Sequence, residues 1–303
     1  MGTSSPIHDA RAGEKIYGRG RGTAPTRDHN RPDFPMTPTA NLWFMSPLSS
    51  HPAAILVLAG TAFLAGLVDA IGGGGGLISL PVLLAAGLPP ASAIATNKGQ
   101  AIFGAVSSFA SFWRRGGIDR QRAPLGFAAG FAGSCIGALA VMAMRPEPLR
   151  PVVIALLIVA TVAMLAGGRQ MAVPRAWVAE AGAGRSLALT AIALVLGAYD
   201  GFFGPGTGSM LILSFVIVFG DSLTRASGNA KVVNLASNLA AFLLFAQRGT
   251  ILWTVALPMA AANAIGATVG ARLALQRGDR LVRWVVLAVV LAVVVKLSRD
   301  LAR

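Results

Sequence analysis

Val68–Pro81 reads VDAIGGGGGLISLP, with five consecutive glycines beginning three positions after a lone Asp69. Such a tract serves as a flexible linker, a loop that cradles phosphate, or a break in a membrane helix. What surrounds it decides which.

The surroundings are apolar. Of 303 residues, 54% are hydrophobic and only 13% charged, and the mean hydropathy is +0.66. A soluble domain carries about a quarter charged residues. Charge-free runs at Ala123–Met144, Pro151–Gly168 and Gly249–Ala271 each match the ~18–20 residues that cross a bilayer as a helix. The chain reads as an all-α, polytopic helical membrane protein. The single cysteine, Cys135, lies inside one run, so no disulfide framework or thiolate metal site is expected. His8, His29 and His51 precede or open the first span, which leaves no imidazole for a metal or proton relay within the spans. No metal and no cofactor are expected. The net charge of +14 comes from Lys and Arg gathered in short loops between spans. That pattern orients a membrane protein and does not point to nucleic acid.

Residues 1–50 are polar and rich in Pro, Gly and Arg, with no apolar period and no 7–15-residue apolar core. They read as a disordered basic tail and not as a secretory signal. Met36 and Met45, just ahead of the first span, offer alternative starts. From Ala53 onward ten apolar segments follow, at 53–70, 76–88, 91–113, 123–144, 150–168, 186–202, 207–220, 225–246, 250–271 and 281–297. Two are short, 76–88 and 207–220, and each follows a glycine-rich break.

The order repeats. IGGGGGLIS (71–79) aligns with FGPGTGSML (203–211), matching Gly72, Gly74 and Gly76 to Gly204, Gly206 and Gly208. One residue of shift brings Lys98 onto Lys231, Phe109 onto Phe242, Phe112 onto Phe245, Arg115 onto Arg248, and Gly133 and Gly137 onto Gly266 and Gly270. Composition bias does not align Lys, Phe and Arg together. The expectation is a duplicated five-segment unit, 51–175 and 176–303, of the kind many secondary transporters share. Of 26 Lys and Arg, 24 lie outside the spans. They divide 12 against 12 if all ten segments cross, and 17 against 7 if the short two are re-entrant. The second split favours about eight full crossings, both termini cytoplasmic and 114–122 inside. It puts Arg272, Arg277, Arg280 and Arg283 outside.

Non-helical backbone at membrane depth leaves polar groups unpaired, and persists only against protein or a water-filled cavity. Each break is followed by an apolar helix whose free N–H groups and positive dipole end face it, a setting that attracts anions. Glycines that only allow close helix packing are the plainer explanation, but two breaks at matched positions favour binding. A nucleotide P-loop is excluded, because Leu77-Ile78 and Ser209-Met210 follow where Lys and Ser/Thr are required. Gly72, Gly74 and Gly76 are the expected functional glycines, and Gly73 and Gly75 the spare ones.

Asp69, Lys98, Asp200 and Lys231 are the charged residues within spans, and such groups mark function by default. Lys98 and Lys231 supply positive charge for an anion, and Asp69 and Asp200 a place for a coupling proton. Pairing of Asp with Lys as structural glue is the alternative. Thr96, Asn97 and Gln100 lie beside Lys98. Asn229, Asn234 and Asn238 surround Lys231, with Lys231, Asn234 and Asn238 on one helix face. Pro205 removes a donor from the second break, so the two breaks are not equivalent. No nucleophile–base pair or metal set occurs in the spans, so an enzyme is not expected.

GLVDAIGGGGGLISLPVLLAAGLPPASAIATNK (66–98), followed by GAYDGFFGPGTGSMLILSFVIVFGDSLTRASGNAKVVNLASNLAAFLLF (197–245), resembles the TauE/SafE family of membrane transporters, the sulfite exporter family. The likeness covers about 53–300, and GFFGPGTGS with AKVVN is its more specific half. The resemblance implies a permease of the bacterial inner membrane that moves sulfite, sulfonates such as sulfoacetate, or related small organic anions. It also implies that Gly72–Gly76, Asn97, Lys98, Gly204–Gly208, Asn229 and Lys231 line the path. The partners expected are the anion, the lipid bilayer and a proton. An anion channel or a carrier of a non-sulfur organic anion stands as the alternative reading. Substrate, direction, coupling ion and any homo-oligomer are open at this point.

Overall fold

The computed structural model describes residues 52–145 and 183–301, with isolated positions 152 and 155 between them. The tail 1–50 and the body of the 150–168 segment lie outside the described residues. Within them the chain is helical, with no strand. α1 (Pro52–Gly72) and the short α2 (Gly75–Ala85) flank the first glycine break, and α3 (Pro90–Arg114) and α4 (Ala123–Ala143) follow. α5 (Ala183–Phe202) and the short α6 (Thr207–Phe219) flank the second break, followed by α7 (Leu223–Gln247) and α8 (Trp253–Leu301). α8 joins the segments expected at 250–271 and 281–297 across a kink at Gly278, whose φ of 63° and ψ of −154° suit glycine alone.

Local chemistry accounts for the boundaries. Pro90 opens α3, where its missing N–H costs nothing. The Ser222 hydroxyl caps α7 by accepting from the Arg225 N–H. α6 stops at Gly220, in the left-handed region with φ 69°. Five helices are long and apolar enough to cross a membrane: α1, α4, α5, α7 and α8 up to Val282. α3 has 25 residues, which also suffices, but it carries the polar run Thr96–Gln100. α2 and α6 have 11 and 13 residues, about 16–20 Å of helix against a hydrocarbon core of about 30 Å. They are half-length.

α3 and α7 pack on each other at the centre. α1 packs on α8, and α5 on α4, outside them. Leu56, Ile136, Leu187 and Ile265 on those outer helices are exposed, as lipid-facing side chains are. The outer pairs approach through glycine. A Cβ on Gly66 or Gly270 would overlap α8 or α1 backbone, and one on Gly133 or Gly197 would overlap α5 or α4 backbone. Without a hydrophobic force between helices in lipid, such close backbone contact holds them together.

The contacts also fix direction. The Asp119 N–H donates to Asn229 Oδ1 at 2.8 Å, so the α3–α4 loop meets the start of α7. The Leu252 N–H donates to Thr96 Oγ1 at 3.2 Å, so the α7–α8 loop meets the start of α3. α3 and α7 are therefore antiparallel. Ser227, near the start of α7, donates to the Ala70 and Ile71 carbonyls, so α1 runs toward the 114–122 end of the molecule. α2 returns from there, antiparallel to α1, with Gly75 packed against Ala65 and Asp69.

This corrects the expected sidedness. The short segments do not enter and leave on one side. Each forms a hairpin with the long helix before it and carries the chain back. Residues 272–280 consequently lie at the same end as 114–122. Gly117 abuts Leu275, the Thr224 N–H donates to Asp279 Oδ1 at 2.8 Å, and Arg225 lies 3.9 Å from Asp119. The charge split that favoured re-entrant segments was dominated by the long N-terminal tail, which counts little in orienting a membrane protein.

Candidate functional site

The two glycine breaks touch. Gly73, at φ +76°, sits against Gly208, and a Cβ on either would overlap the other's backbone. The Ser209 N–H donates to the Gly73 carbonyl at 3.2 Å, and Ser209 Oγ donates to the Gly72 carbonyl at 2.5 Å. The second break thus satisfies carbonyls that the first leaves free. Gly73 and Gly75 are not spare: Gly73 needs its positive φ and the contact, and Gly75 is pressed on α1. The alignment of Gly72 with Gly204 pairs glycines of unlike conformation, because the first break has one positive-φ glycine, Gly73, and the second has two, Gly204 and Gly206.

Beside this contact lies a pocket of about 440 Å³ of atom-free space, partly open. Gly75 and Gly76 at the start of α2 line it, as do Gly204 and Gly208 around the start of α6. Both helix N-termini therefore border one cavity. α3 contributes Asn97, Lys98 and Gln100, α7 contributes Asn234 and Asn238, and Asp69 and Asp200 stand at its wall. Ser79 of α2 and Asn263 of α8 complete the polar lining. Neither was singled out in the sequence, although a lone amide in the otherwise apolar run 250–271 was a usable signal.

Lys98 Nζ lies 2.8 Å from Asp200 Oδ1, both side chains nearly fully buried, and donates to Asn238 Oδ1 at 3.4 Å. Asp200 Oδ2 accepts from Ser237 Oγ and from Asn238 Nδ2. Lys231 Nζ donates to the main-chain carbonyl of Asp69 and lies 3.3 Å from its Oδ2. Each lysine is thus paired with the aspartate of the other half of the chain.

The amides divide by role. Asn97 Oδ1 accepts from Ser79 Oγ at 2.6 Å and from Gln100 Nε2 at 3.1 Å, and Asn234 Oδ1 accepts from Asn238 Nδ2 at 2.9 Å. Among the described residues the NH₂ groups of Asn97 and Asn234 then have no protein partner and line the cavity. Gln100 Oε1 is buried with no partner there either.

Other expected site residues stand apart from the cavity. Gly74 and Gly206 are the N-caps of α2 and α6, and Gly72 takes the Ser209 hydroxyl. Asn229 is engaged at the 114–122 end, where its Nδ2 donates to Asp221 Oδ2 at 2.8 Å while its Oδ1 takes the Asp119 N–H. Arg122 completes that network, 2.8 Å from both Asp119 and Asp221. Burial pushes the Asp119 carboxyl up, but Arg122 beside it more than reverses this and holds it below the usual carboxylate range. No group of three or more His, Cys, Asp or Glu side chains that could hold a metal occurs among the described residues.

Half-length helices meeting at a buried, charge-bearing cavity, inside a cage of lipid-facing helices, define a polytopic membrane transporter. Residues 58–297 match the family described as Sulfite exporter TauE/SafE, and the chain belongs to that family. It is 36% identical over 261 residues to the "Probable membrane transporter protein YfcA" of Escherichia coli (strain K12), covering 85% of this chain and 94% of that one. It is 34% identical over 259 residues to the "Probable membrane transporter protein ORF9" of Sinorhizobium sp, covering 84% and 96%. A "Probable membrane transporter protein" of Haemophilus influenzae is 36% identical over 249 residues, covering 82% and 94%. No solved structure matches the chain at a significant level. The protein is a transporter and not an enzyme.

Proposed function

We propose that the chain is a secondary permease for small anions of the sulfite and sulfonate class, binding them where the two glycine breaks meet. One observation carries the reading: Asn97 and Asn234, which line the cavity, each keep an NH₂ group with no protein partner among the described residues. Two helix N-termini border the cavity, and Lys98 is the one cation lining it among the described residues. An oxyanion takes several N–H donors at once and gains from both dipoles. Asn229 belongs to the loop network and Lys231 to the broken end of α1, so neither is assigned to substrate. Asp69 and Asp200 are the candidates for a coupling proton.

An inverted duplication supports the permease reading. The break-flanking helices α1 and α5 run in opposite senses, α1 packed on α8 of the second half and α5 on α4 of the first. Thr96 and Asn229, matched in the alignment, make matched loop contacts. We further propose that the 114–122 end faces the cytoplasm. It carries Arg114, Arg115, Arg120, Arg122, Arg185, Arg225, Arg272, Arg277 and Arg280, against Arg145 and Arg248 at the other end of the described chain. The start of α1 then lies on the opposite face, the reverse of the orientation expected from sequence.

The test is counterflow in proteoliposomes with sulfite, thiosulfate, sulfoacetate and simple carboxylates. Saturable exchange of a sulfur oxyanion that Lys98→Ala abolishes is the expected result. No counterflow with any of them, or unchanged rates in Lys98→Ala, overturns it. Flux that never saturates identifies a channel.

A further inference from the structure

The two lysine–aspartate pairs are alike in chemistry and different in setting. The charged side chains lining the cavity are Asp69, Lys98 and Asp200, and Lys231 stands behind Asp69, off the wall. Each aspartate is paired with a lysine, so the described charges around the cavity balance and Lys98 is not free for an anion as it stands. One carboxylate must be neutralised first.

The partners of the lysines decide which. Lys231 Nζ donates to the Asp69 main-chain carbonyl as well as meeting the carboxylate. Neutralising Asp69 leaves Lys231 anchored on a carbonyl at the open end of α1, a position that favours a cation. Lys98 has side-chain partners only, Asp200 Oδ1 at 2.8 Å and Asn238 Oδ1 at 3.4 Å. Neutralising Asp200 leaves its charge held by one long hydrogen bond and turned to the cavity. The groups that face Asp200 are Lys98 from α3, Ser237 and Asn238 from α7, and Gly204 and the adjacent Tyr199 from its own segment. None is a second carboxylic acid. A proton on Oδ1 keeps the neutral form accommodated, because Ser237 and Asn238 still donate to Oδ2. The Asp200 side chain is 3% exposed against 25% for Asp69, so its charge is the more dependent on its partner.

We propose that Asp200 carries one proton with each anion, and that the substrate replaces Asp200 as the counterion of Lys98. This rests on the anion-permease reading above. A proton from water adds to Asp200 Oδ1, the Lys98–Asp200 pair gives way, and the anion takes its place on Lys98. At the other face the anion leaves, the proton returns to water and the pair re-forms. No bond to the substrate is made or broken. Lys231–Asp69 keeps its partners throughout, as a fixed strut at the first break.

The experiment uses the full chain in liposomes loaded with a pH-sensitive dye, and sulfite, sulfoacetate and methanesulfonate as probes. The single charge of methanesulfonate does not titrate in the working range, so any proton that moves with it belongs to the protein. With an inward proton gradient of about one pH unit, one-to-one coupling accumulates a monoanion about tenfold, with matching acidification inside. Asp200→Asn, a mimic of the protonated acid, is expected to lose both accumulation and acidification, and to retain pH-independent exchange of labelled for unlabelled anion. Asp69→Asn is expected to lower thermal stability while keeping the wild-type ratio of protons to anions in the folded fraction. Gradient-driven accumulation in Asp200→Asn overturns the proposal, as does a changed ratio in Asp69→Asn with Asp200→Asn unaffected. Wild-type flux without proton movement overturns it alone and leaves the permease reading standing. No wild-type flux of any probe removes the permease reading, and this inference with it.

Discussion

Lys98–Asp200 and Lys231–Asp69 bring together aligned residues from the two halves, crossed so that each lysine meets the other half's aspartate. Around Lys98 the partners are side chains facing a cavity, whereas around Lys231 one partner is main chain at a helix end. On the proposed reading one pair serves a ligand while the other secures the backbone. The position of a charge in the fold, more than its identity, sets what it does.

The largest effect expected tests the ground both pairs stand on. Gly73→Ala brings a Cβ into the Gly208 backbone at a positive φ, and should cost more than about 4 kcal/mol, the range of exceptional single substitutions. Little folded protein should survive detergent extraction and gel filtration. Gly87 has a similar φ of +88° with open space around it, so Gly87→Ala should cost only about 1–2 kcal/mol of backbone strain. Equal losses at the two positions would remove the special status of the break contact.

Next comes the pair itself. Lys98→Gln strips the buried Asp200 carboxylate of its cation and should lower stability by about 3–5 kcal/mol. Adding Asp200→Asn should recover most of that in a thermal melt without recovering flux. Lys231→Gln should cost less, about 1–2 kcal/mol, because Asp69 is partly exposed, and should leave Lys98-dependent counterflow measurable. Complete loss of flux in Lys231→Gln at normal stability would make the pairs equivalent again.

A smaller effect is expected at the amides. Asn234→Ala removes a donor at the cavity, and a lost hydrogen bond of about 1 kcal/mol should raise the half-saturation concentration about fivefold. Asn229→Ala, away from the cavity, should leave that value unchanged and lower the melting temperature. The smallest effect concerns pH. The folded Asp119 carboxyl lies below its unfolded value, so its contribution is present above the usual carboxylate range and fades as pH falls through the lowered one. Between pH 5 and pH 3 the wild type should lose more thermal stability than Asp119→Asn.

Among the described residues, the five long apolar helices, the two breaks and the four charges beside them were legible in the sequence, because each violates or satisfies a rule of the bilayer. The crossing of the pairs was not. That Lys98 of α3 meets Asp200 of α5 and not Asp69 of α1 is a tertiary fact with no local signal. The glycines were misassigned for a similar reason. An ungapped alignment through 71–79 and 203–211 hid a difference in backbone, one positive-φ glycine in the first break against two in the second. Sidedness was obscured by counting a long tail whose charges weigh little, and Thr224–Asp279 supplied what the count lacked. Ser79 and Asn263 passed unnoticed because single polar residues in apolar runs also serve ordinary helix contacts.

The hydrogen bonds from Ser209 to the Gly72 and Gly73 carbonyls also bear on how the protein is made. Ser209 follows Gly72 by 137 positions, which at about 5–20 residues per second is on the order of ten seconds of translation. For that interval the first break has left the ribosome with two carbonyls whose final partners do not yet exist. Water or the insertion machinery has to hold them, and the first half cannot reach its finished form in hydrocarbon by itself. Severing the chain between its halves should therefore yield pieces that assemble when synthesised together and fail when made apart.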